Sequence, residues 1–318
     1  MNQQIKTSRI KIGSVGPIDI QIPIIKIGQG KPVISLISGL HGNEDTGTLI
    51  LERLFQKIKN WPQINGTIKI IPFANPLCLI NNSRELPTDN KDLNRLFPGN
   101  KKGTLSERIA YYLFQAVKDS NLLIDFHTFP KMDLLITGIL VPIDKKDKLM
   151  TKTQKFLYLF NPDFIWKLDT QGEDIDKKGS LIELLLIRNN IAFALELPLI
   201  DKISSDQIKK ILRGISVVVR NTITDKFYRT VNKVPIINRK IVTSPISGLF
   251  IPLKKTGENI QVNIPFGKIV SLETLDSEKV KTPIAGQIIM ISEPNIVKTG
   301  DKILALGQTA GKEKKGVG

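Results

Sequence analysis

Lys31-Pro32-Val33-Ile34-Ser35-Leu36-Ile37-Ser38-Gly39-Leu40-His41-Gly42-Asn43-Glu44 is the stretch on which the fold of this chain turns. Residues 31–38 form an apolar run of strand length, and Leu51, Leu54, Phe55 and Ile58 follow at the i, i+3, i+4, i+7 spacing of a helix. His41 and Glu44 therefore sit on a strand-to-helix turn. In an open α/β sheet, ligands collect beyond the carboxyl ends of the strands, so this turn faces the place where a site would form. The run Asn121-Leu122-Leu123-Ile124-Asp125-Phe126 likewise ends on His127. A histidine taken alone is more often an ordinary hydrogen-bonded residue than a ligand. Here the 318-residue chain has only 2 histidines, and both stand at such strand ends. With Glu44 they make the three-ligand set, nitrogen and carboxylate, that one catalytic zinc per chain requires, leaving a fourth position open for water.

Outward from this turn the pattern alternates. Strands are expected at 8–13, 18–27 and 32–38, a helix at 46–58, a strand at 67–73, and a polar loop over 75–100. A helix at 104–118 opens with Thr104 and Glu107 in capping-box spacing. Strands at 121–127 and 133–141 come next. Ser180 and Glu183 repeat the capping spacing before a helix at 180–189, followed by a strand at 191–197 and a helix from Ser204 with Ile208, Ile211, Leu212, Ile215 and Val219 on one face. This is an α/β arrangement of a mixed sheet flanked by helices. From Lys233 the helical period gives way to short strands punctuated by Gly and Pro. There Ser244-Pro245-Ile246-Ser247-Gly248 with Thr256-Gly257 is echoed by Thr282-Pro283-Ile284-Ala285-Gly286 with Thr299-Gly300. This tail resembles a barrel-sandwich hybrid, without the carrier lysine motif, and reads as a structural cover over the cleft. The expected division is a catalytic domain over 1–232, a C-terminal β domain over 233–310 and a disordered tail over 311–318.

The longest apolar runs fall far short of the ~20 residues of a membrane helix, and the N-terminus has no signal-peptide core. One cysteine, Cys78, allows no internal disulfide and fits a reducing cytoplasm. The net charge of +16 raises nucleic acid as a partner, but the lysines are scattered in doublets without interleaved aromatics. The excess is read as surface character that also attracts anionic substrates.

Zinc hydrolysis needs a general base, cations for an oxyanion and a clamp for substrate. Glu196 ends the apolar run Ala194-Leu195-Glu196-Leu197, where burial would raise its pKa toward a useful value. Asn94 and Arg95, in Asp92-Leu93-Asn94-Arg95-Leu96-Phe97-Pro98-Gly99, offer an amide donor and a guanidinium fork for a carboxylate.

As a set, His41-Gly42-Asn43-Glu44, Asn75-Pro76, Arg84, Asp92-Leu93-Asn94-Arg95, Asp125-Phe126-His127 and Leu195-Glu196 resemble the succinylglutamate desuccinylase/aspartoacylase family of zinc amidohydrolases. The resemblance implies a zinc carboxypeptidase-like fold with a C-terminal β domain. It implies that His41, Glu44 and His127 bind Zn2+, that Glu196 moves a proton from the zinc water to the leaving amine, and that Arg84 polarises the scissile carbonyl. Asn94 and Arg95 would hold a substrate carboxylate, and Asp92 would accept the second ring N–H of His41. Two departures from the family pattern stand out: Asn90 where related deacylases carry glycine, and Leu197-Pro198 where glycine is expected after the Leu-Glu pair.

The function expected is deacylation of a small anionic N-acyl amino acid or related conjugate. A carboxypeptidase acting on short peptides and a non-catalytic metal- or nucleic-acid-binding relative are the alternatives; a homodimer is compatible with the sequence and not specified by it. Residues 130–179 should shape specificity, yet hold one tyrosine, Tyr158, and no arginine. Lys131 or Lys167 is left to grip a second carboxylate, which disfavours dicarboxylic acyl amino acids.

Overall fold

A computed structural model describes residues 4–61, 64–168, 178–224 and 233–309; the expected tail at 311–318 lies outside them. The chain runs β1 (Ile5–Val15), β2 (Ile18–Ser38), α1 (Thr46–Ile58), β3 (Asn65–Ile71), α2 (Pro76–Asn81), α3 (Leu105–Val117), β4 (Leu122–Thr128), β5 (Met132–Leu134), β6 (Thr137–Leu140), α4 (Asp147–Phe160), β7 (Phe164–Lys167), α5 (Leu181–Ile187), β8 (Ile191–Leu197) and α6 (Ser205–Thr224). Eight short strands follow: β9 (Ile236–Thr243), β10 (Gly248–Pro252), β11 (Asn259–Ile260), β12 (Pro265–Val270), β13 (Ser277–Lys281), β14 (Gly286–Ser292), β15 (Asn295–Val297) and β16 (Lys302–Thr309).

A large mixed sheet runs in the order β1-β2-β4-β8-β6-β7-β9-β16-β14-β11, with β3 on β2 and β5 on β14; β13-β12-β10-β15 form a second, antiparallel sheet. Around the site, β2, β4 and β8 are parallel neighbours and β6 joins β8 antiparallel. Side chains alternate across the pleat. On β4, Leu122, Ile124 and Phe126 enter one core with α1, α4 and α6, whereas Leu123 enters the other with α3 and α5. Two apolar cores on opposite faces of one sheet follow.

Several elements differ from the sequence expectation. The strands at 18–27 and 32–38 are one strand, β2, whose pairing with β3 shifts register around Gln29. The strand expected at 133–141 is split into β5 and β6 because β5 leaves to pair with β14. The loop over 75–100 contains α2, N-capped by Asn75, whose side chain accepts from the Cys78 amide. Neither α4 nor β7 has a legible period: α4 buries only Thr153, Phe156, Leu157, Leu159 and Phe160, none of them in its first six residues, and β7 has only 4 residues.

The capping boxes are present with one variation. Thr104 and Glu107 cap α3 reciprocally, while Glu183 reaches past Ser180 to the amide of Gly179 at 2.7 Å. In the C-terminal region the sequence echo is a structural one. Gly257 and Gly300 take φ of 88° and 90°, the left-handed region that glycine enters without strain, and each turn donates its amide to a carbonyl, Ile288 and Ser244 respectively. The large sheet continues from β7 into β9 by parallel pairing of Ile165 and Trp166 with Ile236 and Ile237.

Candidate active site

The turn bearing His41 is shaped by glycine and by Asn75. Gly39 has φ of 68°, and a Cβ on Gly42 would collide with the Cys78 carbonyl of α2. The buried Asn75 side chain donates to the Leu40 carbonyl at 3.2 Å, and its amide N–H to Gly39 at 2.9 Å. His41 and Glu44 are thereby fixed at the carboxyl end of β2. On β4 the two-residue period puts Asp125 and His127 on the same face, and on β8 it puts Glu196 there with Ala192 and Ala194. His127 and Glu196 are register partners.

His41, Glu44 and His127 are all buried, and one ligand atom of each lies within 4.8 Å of the others. The Nδ1 atoms of both histidines converge on the Glu44 carboxylate, His41 at 2.7 Å from Oε1 and His127 at 2.8 Å from Oε2. The Thr128 amide donates to the same Oε2 at 3.1 Å. Each ring's far nitrogen meets another carboxylate: His41 Nε2 lies 3.0 Å from Asp92 Oδ1 and His127 Nε2 lies 2.9 Å from Asp125 Oδ2. A carboxylate behind a ring holds the proton on Nε2 and turns a basic Nδ1 inward, the arrangement that supports a metal-binding histidine. Two imidazole nitrogens and one carboxylate form a donor set suited to zinc. These residues fit the ion.

The electrostatics follow from burial and opposing charge. Burial works against a charged imidazole, but Glu44 and Asp92 raise the pKa of His41, and Asp125 and Glu44 raise that of His127 further. Burial would raise Glu44 and Asp92; the facing cations win and hold both well below the usual carboxylate range. Glu196 goes the other way. Burial pushes its pKa up to about 7, against the pull of His127, and its Oε2 is buried without a hydrogen bond to protein.

Arg84 donates Nη2 to Asp92 Oδ2 at 2.8 Å and brings Nη1 to 3.4 Å from Glu44 Oε1. Asn94 accepts from the Leu181 amide at 3.1 Å and has Nδ2 3.4 Å from His127 Nε2, while Arg95 bonds the Asn94 carbonyl at 2.7 Å. All eight residues singled out in the sequence line one cavity of about 420 Å3. Lys131 and Lys167 do not: both are exposed, and the pleat that turns Trp166 into the cavity turns Lys167 away from it. Part of the expected specificity segment, 169–177, lies outside the described residues.

Three contributors were not read from the sequence. Asp125 stands two residues before His127, and the strand period was signal enough to place it behind that ring. Trp166 and Lys302 had none, because β7 is too short to show a period and Lys302 arrives from the C-terminal strands. Of the departures, Asn90 adopts φ of 50°, a conformation that asparagine tolerates in place of glycine, and the Pro198 carbonyl accepts from Thr46 Oγ1 at 2.9 Å at the start of α1.

Among known proteins, the chain is 32% identical over 114 residues to the N-alpha-acetyl-L-2,4-diaminobutyric acid deacetylase of Halomonas elongata, a match spanning 36% of this chain and only 33% of that relative. Its fold is shared with an aspartoacylase family protein from Mesorhizobium loti (TM-score 0.82, 20% identity, 97% of this chain and 96% of the other). It is equally close to the product-bound ectoine utilization protein EutE (DoeB) of Ruegeria pomeroyi (TM-score 0.82, 21% identity, 97% and 96%). Residues 31–221 match the succinylglutamate desuccinylase/aspartoacylase catalytic domain, a span that contains the cradle of His41, Glu44 and His127 together with Glu196, and the chain belongs to that family.

Proposed function

We propose that this protein is a zinc-dependent deacylase that hydrolyses the amide bond of a small N-acyl amino acid or related conjugate. The observation that carries the reading is the convergence of His41, Glu44 and His127 beside Glu196 in one cavity. Zinc held by the two Nδ1 atoms and the Glu44 carboxylate would supply Lewis acidity and lower the pKa of water at its open position. Glu196, poised near 7, takes a proton from the attacking water and delivers it to the amine nitrogen as the C–N bond breaks. Arg84 supplies positive charge to the developing oxyanion. Arg95 and the Asn94 amide hold the carboxylate of the amine half, and Asp92 orients His41. The products are a carboxylic acid and a free amino acid.

The unit that carries this chemistry is inferred to span 1–232 on a zinc carboxypeptidase-like plan. A C-terminal β unit over 233–310 with barrel-sandwich character covers the cleft; the separate apolar cluster around Phe250, Phe266 and Ile303 supports that division. A buried lone Cys78 supports a reducing cytoplasm.

The test is Glu196→Gln assayed on a panel of N-acyl amino acids beside short peptides. The variant should keep its metal and lose about 10²–10⁴-fold in kcat. Undiminished turnover on a substrate that the unaltered chain cleaves would refute the mechanism.

A further inference from the structure

The cavity is polar on one side and apolar on the other, and the strand order of the sheet sets these sides in sequence. His41 stands on β2's end, His127 on β4, Glu196 on β8, then Ile139 and Val141 along β6, and Trp166 and Leu168 along β7. Glu196 thus lies between the metal cradle and an apolar wall that Ile182 of α5 completes. The five wall residues belong to one core cluster and are 3% to 6% exposed, so they are core side chains with an edge on the cavity. Arg84 and Arg95 lie 2.8 Å and 3.9 Å from the Asp92 carboxylate, beside the His41, Glu44 and His127 cluster. Lys302 lines the cavity as an exposed residue, and the Arg239 guanidinium packs 3.1 Å from the centre of the Trp166 ring, spending its charge on that ring, in a small separate pocket that it lines with Trp166 and Glu196.

With the amine half held by its carboxylate on the Arg95 side and the scissile carbon at the cradle, the other substituent of the amide must cross Glu196 toward β6 and β7. We propose that the acyl half of the substrate is an uncharged apolar chain longer than acetyl, seated on the wall formed by Ile139, Val141, Trp166, Leu168 and Ile182. This rests on the deacylase reading for the position of the amide. A second carboxylate placed on this wall would lose its water and meet no donor among these five side chains except the indole N–H, which a buried charge does not tolerate. A methylene chain gains by leaving water.

The experiment is a binding titration that does not depend on turnover. In the zinc-loaded chain carrying Trp61→Phe and Glu196→Gln, Trp166 is the one remaining tryptophan of the 2 in the sequence, and its fluorescence reports occupancy of the wall. N-acetylglycine, N-hexanoylglycine and N-succinylglycine are the probes. N-hexanoylglycine should bind at least about tenfold more tightly than N-acetylglycine, given the free energy of burying each methylene, and more tightly than N-succinylglycine. Val141→Lys should erase that preference. The ligand ranking on the unaltered wall decides the matter even if this variant fails to fold. Equal affinity for acetyl and hexanoyl, binding of none of the three, or a preference for succinyl that Lys302→Met removes would each overturn the proposal. Selective hexanoyl binding by a Trp61→Phe chain that hydrolyses none of the probes would instead refute the deacylase reading and leave the apolar subsite standing.

Discussion

Asp125 is fully buried, accepts at most one bond from His127 Nε2, and leaves Oδ1 without a hydrogen bond. A buried carboxyl behind an imidazole fixes the ring's tautomer, so in the proposed site Asp125 would turn Nδ1 of His127 toward the metal. Asp125→Asn should therefore weaken zinc affinity about 10–100-fold, read by competition with a chromophoric chelator; unaltered affinity would remove Asp125 from the site. His41→Ala and His127→Ala should each abolish stoichiometric metal, measured by elemental mass spectrometry on proteins prepared in parallel. As the proposed base, Glu196 should set the pH dependence. It works only as the carboxylate, and its pKa of about 7 would be drawn downward by a dication in the cradle. Turnover should accordingly rise with pH along an acidic limb between about pH 5 and 7; a rate that falls over this interval contradicts the assignment of Glu196 as base.

At the scale of elements, the loop from α2 to α3 is what gathers Arg84, Asp92, Asn94 and Arg95 on one side of the cradle. Asp89 pins it, accepting from Ser106 Oγ at 2.6 Å and from the Ser106 amide at 3.2 Å in the first turn of α3. Burial is the largest single influence and disfavours the Asp89 charge, but the bonds from Ser106 and Thr104 together outweigh it and lower the pKa. A carboxylate whose pKa is lowered by folding contributes stability above its unfolded value of about 3.9, and that contribution is lost as pH falls through the lower folded value. Asp89→Asn should cost about 0.5–1 kcal/mol at pH 7, with the difference from the unaltered chain shrinking below about pH 4, as seen by urea unfolding at both pH values. A difference independent of pH would show that the Asp89 charge plays no part. The sequence announced α3 through Thr104 and Glu107, yet nothing in it announced this second tie at Asp89, because the partners are brought together only when the loop folds back over the helix start.

Across the whole molecule, the C-terminal strands share an apolar core with the strands and helices around the site. Ile237, Ile289, Met290 and Ala305 share an apolar cluster with Leu123, Trp166 and Ile182, and β9 pairs with β7. A chain ending at residue 232 would expose that apolar surface and the edge of β7. It should aggregate or bind the hydrophobic dye ANS where the full chain does not; a soluble, cooperatively unfolding fragment would show that the two parts are independent. The sequence by itself picked out His41, Glu44, His127 and Glu196, which the fold brings into one cavity, and the alternation of strand and helix, because those rest on local spacing: a turn after an apolar run, a two-residue strand period, a capping box. Only the tertiary structure decided that Lys167 faces away while Trp166 faces the cavity, that β5 leaves β6 to join β14, and that Lys302 reaches the site from the far end of the chain. These depend on which strands pair, and pairing between distant segments is chosen by the packing of the whole sheet, which no local period records.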